Sequence, residues 1–183
     1  AKRRRLTETE AELGTQGMKI EVIRHFFTFI ILCIVQVLVL NHIELFGCAT
    51  PFLYVYFIML FRRGFPRWAV LLWSFFLGIF IDMFSNTPGV AASSATFIGL
   101  LQPYLLNLFA PRDSSDDMMP TMKSLGVARY VYYTIICVFI FNLLFFTVEM
   151  FSFFNWLQWA LNICGSTVLT VVLILVIENV RKR

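Results

Sequence analysis

Residues 68–89 read WAVLLWSFFLGIFIDMFSNTPG, an apolar run that ends at Asp82 and is followed by a Pro-Gly pair. A run of this kind, without charge until its end, is typical of a helix that faces lipid. Pro88 and Gly89 favour a tight turn, because proline fixes φ and glycine tolerates positive φ. A second apolar run begins at Val90. The stretch therefore predicts two membrane helices joined as a hairpin.

Long apolar runs recur along the whole chain. Of its 183 residues, 59% are hydrophobic and 14% are charged, whereas soluble domains carry roughly 25% charged residues. A water-soluble fold cannot bury so many long apolar runs, so we predict an all-α integral membrane protein with about six transmembrane helices in one bundle. The predicted spans are residues 26–46, 49–61, 68–84, 90–109, 130–150 and 156–177 of a membrane domain that covers residues 18–183.

The second predicted span, residues 49–61, is the shortest. At a rise of about 1.5 Å per residue it does not cover a hydrocarbon core of about 30 Å. To cross, it must tilt little, thin the bilayer, or borrow residues from the preceding segment. A re-entrant or half-length helix is the alternative, and the sequence leaves these possibilities open.

Basic residues cluster in alternate connections between the apolar runs. The positive-inside rule places those connections in the cytoplasm, and an even number of spans then places both termini there. The net charge of +4 is divided among short clusters, which argues against nucleic-acid binding. The clusters are Lys19 with Arg24; Arg62, Arg63 and Arg67; Arg112, Lys123 and Arg129; and Arg181, Lys182 and Arg183.

Two polar stretches lie outside the predicted spans. Residues 1–17 are polar and charged, and we expect them to be disordered or to form a short surface helix. Met18 followed by Lys19 resembles a translation start, so our hypothesis is that residues 1–17 are an upstream extension. The connection 111–126 is either a cytoplasmic contact site or a solvated linker.

Asp82 is the most informative polar residue, because an ionisable side chain at membrane depth is costly. Spacings of four and three residues place Gly78, Asp82 and Ser85 on one helical face. We predict that the Asp82 carboxylate fixes the hairpin by accepting hydrogen bonds from the free N–H groups that begin the next helix. Gly78 would allow close backbone approach. The alternative is an interfacial acid that faces water, and a proton relay is disfavoured because no second buried acid accompanies Asp82.

Small and polar residues form stripes at helical spacing. Ala91, Ala95 and Gly99 predict a ridge for close helix packing. A polar stripe in the sixth predicted span either forms hydrogen bonds between helices or lines a ligand cavity. Asn142 and Glu149 share a face of the fifth span, with Glu149 near its outer end. The polar stripe consists of Asn155, Gln158, Asn162, Ser166 and Thr170.

No motif for catalysis or for metal binding is recognisable. The chain lacks a phosphate-binding glycine loop, a nucleophile elbow and a zinc-protease motif. Its cysteines show no paired spacing and are interpreted as packing residues. We therefore predict a protein that is not an enzyme and has no cofactor and no metal. The cysteines are Cys33, Cys48, Cys137 and Cys164.

Several motifs occur together in this chain. They are a GxxxD element at Gly78 and Asp82, then Ser85, Thr87, Pro88 and Gly89, the pair Gln102-Pro103, the exit Phe109-Ala-Pro-Arg-Asp113, a short second span with Pro51, and a basic tail. In these motifs residues 18–183 resemble the MreD family of bacterial rod shape-determining proteins. The exit motif resembles the Bacteroidetes branch, which implies a Gram-negative inner membrane.

The resemblance implies a non-catalytic scaffold of the cell-elongation machinery. Its expected partners are an MreC-type periplasmic protein, MreB-type filaments and the synthases that build lateral peptidoglycan, reached directly or indirectly, within membrane lipid and without nucleic acid. The family is also similar in fold to the substrate-binding subunits of energy-coupling-factor transporters. That similarity implies the rival function, a vitamin-type small-molecule binding subunit of a membrane transporter.

Overall fold

The computed structural model describes residues 23–36, 38, 51–111, 118–150 and 156–182. This part of the chain contains helices and no strands. The N-terminal stretch 1–17 lies outside the described residues. The helices are α1 Ile23–Gln36, α2 Val55–Met59, α3 Arg67–Ser85, α4 Val90–Phe109, α5 Met122–Leu125, α6 Val127–Glu149 and α7 Trp156–Lys182.

Within the described residues, three helices are long and apolar enough to cross a membrane, namely α3, α6 and α7. The protein is therefore a helical membrane protein. Helix α4 has 20 residues and α3 has 19, but α4 is more polar, with serine, threonine, glutamine and asparagine along it. Its bounds agree with the predicted span 90–109, whereas α6 begins three residues earlier than predicted and α7 continues beyond residue 177.

The predicted span 49–61 requires correction. In its described part, residues 51–61, the only helix is α2, which has five residues. We call residues 51–61 the buried segment, because all of them except the partly covered Leu60 are buried. The segment is apolar on every side, and such a sequence suits the interior of a protein as well as lipid. The structure thus replaces a continuous helix over residues 51–61 by a single five-residue helix within the buried segment.

The other helices pack around the buried segment. Helices α3 and α4 form the largest helix pair, α4 also packs on α6, and α6 packs on α7. Aromatic rings fill the centre: Phe52 lies 4.5 Å from Phe145 between ring centroids, and Tyr54 lies 5.4 Å from Phe141. Large apolar side chains such as Phe76 and Leu157 are exposed on the outside, as expected for surfaces that face lipid.

The described basic side chains gather at one end of the helices. Arg24 contacts Met119, the backbone of Arg63 donates to the Met118 carbonyl, and Arg181 contacts Tyr56. Arg67 and Arg129 lie in the first turns of α3 and α6, next to the same connections. We call this end of the molecule the basic end. The opposite end contains Asp82, Glu149 and the Pro-Gly turn.

Candidate functional site

The Asp82 carboxylate joins α3 to α4. Its Oδ1 accepts hydrogen bonds from the Ala91 N–H at 2.9 Å and the Thr87 hydroxyl at 3.0 Å, and its Oδ2 accepts from the Ala92 N–H at 2.9 Å. The side chain is 7% exposed. Both N–H groups lie in the first turn of α4, where they have no partner inside the helix. The N–H hydrogen bonds expected from the sequence are thus present. The Thr87 hydroxyl is a further donor that the sequence analysis did not predict, and Ser85 is half-buried near the end of α3.

Glycine positions determine how closely the hairpin closes. A Cβ atom on Gly78 would lie on the Ala92 backbone, 2.6 Å from its nitrogen and 2.7 Å from the Ala91 carbonyl oxygen. Asn86, at φ 55°, and Gly89, at φ 85°, take the left-handed conformation on either side of Thr87 and Pro88. The turn therefore depends on backbone conformations that few residues accept.

The ridge on α4 faces α3. Ala91 and Ala95 are fully buried, and a Cβ atom on Gly99 would lie 2.5 Å from the Ser74 Oγ of α3. Small side chains thus allow the two helices to approach closely.

Polar side chains hold the beginning of the buried segment. The Gln36 amide of α1 donates to the Pro51 carbonyl at 2.9 Å and accepts from the Leu53 N–H at 3.0 Å. The Thr170 hydroxyl of α7 accepts from the Phe52 N–H at 3.1 Å. These backbone groups lie before the first turn of α2, so side chains replace the partners that a helix would supply.

The end of the buried segment is held in the same way. Gln102 of α4 donates to the Phe61 carbonyl at 3.0 Å.

Glu178 of α7 lies at the centre of a second group of hydrogen bonds. The Tyr56 hydroxyl donates to Oε2 of Glu178 at 2.7 Å, and Oε1 of Glu178 accepts from the Met122 N–H at 3.4 Å. Arg181 Nη1 lies 3.8 Å from Oε2 of Glu178, whose side chain is buried. Helices α1, α4 and α7 thus all donate or accept hydrogen bonds along the buried segment.

The polar stripe of α7 only partly follows the prediction. Asn162, Ser166 and Thr170 are buried, whereas Gln158 is exposed and Asn155 lies outside the described residues. The inter-helix hydrogen bond to α6 is made by a neighbour of the stripe: Asn142 Nδ2 donates to the Thr167 hydroxyl at 3.0 Å. The stripe therefore divides into a buried part, Asn162, Ser166 and Thr170, and an exposed residue, Gln158.

Sequence reasoning missed Gln36, Tyr56 and Glu178. Gln36 and Glu178 each interrupt an apolar run. A polar side chain in such a run is costly in lipid, and this could have indicated that each has a partner inside the protein. Their partners are backbone groups and side chains far away in sequence, so the runs themselves do not identify them.

Within the described residues, no group of three or more histidine, cysteine or acidic side chains is placed to hold a metal ion. Cys33 and Cys137 are buried and free, and Cys164 is exposed and free. Comparisons of the chain with protein-family models, with curated proteins and with solved structures find no match. The family resemblance therefore rests on the sequence motifs alone.

Proposed function

We propose that this protein is a non-catalytic scaffold in the inner membrane of a bacterium, where it acts in cell-shape determination and lateral peptidoglycan synthesis. The observation that carries the proposal is the use of buried polar groups. Asp82, Gln36 and Gln102 all bond to the backbone of the protein itself. Such bonds join the helices of the protein to one another, as suits a body that presents surfaces to partners.

The distribution of charge supports a topology for this scaffold. Positive residues favour the cytoplasmic side, so the basic end faces the cytoplasm and both termini lie there in a multi-pass arrangement. The Asp82 turn then faces the periplasm. In this orientation the connections at the basic end meet MreB-type filaments, and the outer faces of the helices meet the transmembrane helix of an MreC-type protein.

Exposed apolar faces supply the surface for such a partner. Helix α3 exposes Phe76, Phe80 and Phe84 on its outer side. Association of membrane helices rests on close packing and hydrogen bonds worth about 0.6 kcal/mol each, so an extended contact is needed. A rigid hairpin that keeps this aromatic face in one orientation favours such a contact.

The rival function, a vitamin-type binding subunit, is favoured by a different observation. The Tyr54 hydroxyl and the Asn142 Oδ1 are buried and have no hydrogen-bond partner among the described residues. Polar atoms without partners are what a small-molecule site offers its ligand.

Depletion of the protein in a rod-shaped host, followed by microscopy, tests the proposal. We expect rounded cells with normal growth in rich and vitamin-free media alike. We also expect the tagged protein to co-purify an MreC-type partner. Cells that keep their shape but require riboflavin, thiamine or biotin would overturn the scaffold function in favour of the transporter subunit.

A further inference from the structure

Helix α4 contains a proline within its helical range, Pro103. Proline has no N–H, so the carbonyl of Gly99, four residues earlier, lacks the donor that a regular helix supplies. The proline ring also crowds this carbonyl and favours a bend in the helix. In membrane helices a serine or threonine side chain can satisfy a carbonyl freed in this way. A hydroxyl group next to Gly99 would therefore have a partner available.

Ser74 of α3 places a hydroxyl at this position. The residue is fully buried, and its Oγ has no hydrogen-bond partner among the described residues. A Cβ atom on Gly99 would lie 2.5 Å from the Ser74 Oγ and 3.0 Å from the Ser74 Cβ, so the serine packs directly against the glycine. A buried hydroxyl without a partner is costly. Helix α3 thus brings an unpaired donor next to a carbonyl that lacks its helical donor.

The parts of α4 before and after Pro103 are attached to their neighbours differently. Buried hydrogen bonds to Asp82 and from Gln102 hold the part before the proline. On its α3 side, the part after the proline is held by Arg67, whose Nη1 donates to the Tyr104 hydroxyl at 3.2 Å and whose guanidinium carbon lies 5.2 Å from the centre of the Tyr104 ring. Both side chains are exposed, and contacts of this kind are weak at exposed sites. The second part is therefore the easier one to release from α3.

We propose that α4 has a hinge at Pro103 and that Ser74 stabilises the bent state by donating its hydroxyl to the Gly99 carbonyl. Pro103 and Gly99 lie one turn apart on the same side of the helix, and Gly99 faces α3. A bend that separates the proline ring from the carbonyl moves the following residues away from α3 and opens the space that the hydroxyl enters. The contact between Arg67 and Tyr104 opposes this bend. The proposal does not depend on the scaffold function.

Hydrogen–deuterium exchange of the purified full-length protein in lipid nanodiscs tests the hinge. The measurement is the rate of amide exchange over residues 104–109, with residues 93–98 of the same helix as the internal reference. We expect Pro103→Ala to slow exchange over 104–109 about fivefold, the effect of one restored hydrogen bond on an opening equilibrium. Ser74→Ala should slow it by a similar factor, because the bent state loses its donor. A serine that only filled space would give faster exchange when truncated.

Ser94→Ala is the matched control, because Ser94 is also a buried serine whose Oγ has no partner among the described residues, but it lies on α4 itself, five residues before Gly99. It should leave exchange over 104–109 unchanged. Tyr104→Phe should speed this exchange, since it removes the acceptor of Arg67. Unchanged exchange in Pro103→Ala, unchanged or faster exchange in Ser74→Ala, or an equal response to Ser94→Ala would overturn the proposal.

Discussion

Asp82 is stable at membrane depth because its charge has three donors within 3.0 Å. Two of them are N–H groups at the start of α4, where the helix carries partial positive charge. The carboxylate therefore accepts from N–H groups that the helix leaves unpaired, and the partial positive charge of the helix start stabilises the negative charge of the carboxylate. This mutual arrangement explains the presence of an acid in an otherwise apolar hairpin.

Substitutions of Asp82 test this arrangement. Asp82→Asn keeps one acceptor oxygen and turns the other into a donor that faces an N–H group, so we expect a loss of about 1–3 kcal/mol in the free energy of unfolding. Asp82→Leu should lose more, because the N–H groups of Ala91 and Ala92 both lose their acceptor. Unfolding of the purified variants in detergent measures which substitution lowers the free energy of unfolding more. Glu149→Gln alters an exposed carboxylate, and an equal loss there would contradict the assignment.

The two glycines of the hairpin should differ in their tolerance of alanine. A Cβ on Gly78 meets the backbone of Ala92, which cannot move without moving α4, whereas a Cβ on Gly99 meets a serine hydroxyl that can rotate. We expect Gly78→Ala to cost more than Gly99→Ala, with the former at about 1–3 kcal/mol or above. The thermal unfolding midpoints of the two variants show which substitution is more destabilising. Equal midpoints would show that the α3–α4 contact is looser than the structure indicates.

At the scale of elements, the buried segment is the least regular part of the described chain. Irregular backbone at membrane depth is tolerated only where protein covers it and satisfies its polar groups. Gln36, Gln102 and Thr170 meet that requirement with direct hydrogen bonds. The segment is thus stabilised by its surroundings rather than by its own helix.

Substitution of Gln36 tests whether the buried segment depends on hydrogen bonds from its neighbours. Gln36→Leu leaves the Pro51 carbonyl and the Leu53 N–H buried without partners, at about 1–3 kcal/mol for each group. Faster limited proteolysis and a lower unfolding midpoint are the expected results. Asn107→Leu is the matched control, because Asn107 is exposed on α4 and its replacement should leave both measurements nearly unchanged. Similar behaviour of the two variants would refute the assigned role of Gln36.

Particular residues show how far the sequence determines this fold. The bounds of α4 were predictable, because Pro88 and Gly89 mark its start and the apolar pattern marks its end. The buried segment was not, because hydropathy does not distinguish a residue buried in protein from one buried in lipid. Asp82 was predictable since its partners are within ten residues. Glu178 was not, since its partner Tyr56 is 122 residues away.

At the scale of the whole molecule, the basic residues distinguish the two ends, whereas acidic residues occur at both, with Glu178 beside Arg181 at the basic end. All described lysine and arginine residues lie at the basic end or in the connections that join it, while Asp82 and Glu149 lie opposite. Such an asymmetry determines the orientation of a membrane protein during insertion. The proposed topology is therefore open to a direct labelling test.

Two single cysteines test the orientation. In a background with the native cysteines changed to serine, Pro88→Cys should react with a membrane-impermeant maleimide on intact spheroplasts. Lys123→Cys should react only after permeabilisation. Both positions are exposed, so a difference in labelling reports sidedness rather than burial. The reverse pattern would invert the topology, and labelling of both cysteines in intact spheroplasts would exclude it.

The hydrogen-bond partners of the buried segment are far from it in the sequence, and this distance affects how the protein is synthesised. The ribosome produces residues 51–61 long before Thr170 and Glu178, which lie 118 and 122 residues beyond their partners. Until α7 enters the membrane, the nascent chain holds unpaired backbone groups that lipid cannot satisfy. The translocon or an insertase must therefore shelter this segment during synthesis, and chains that stop before α7 should be substrates for membrane quality-control proteases.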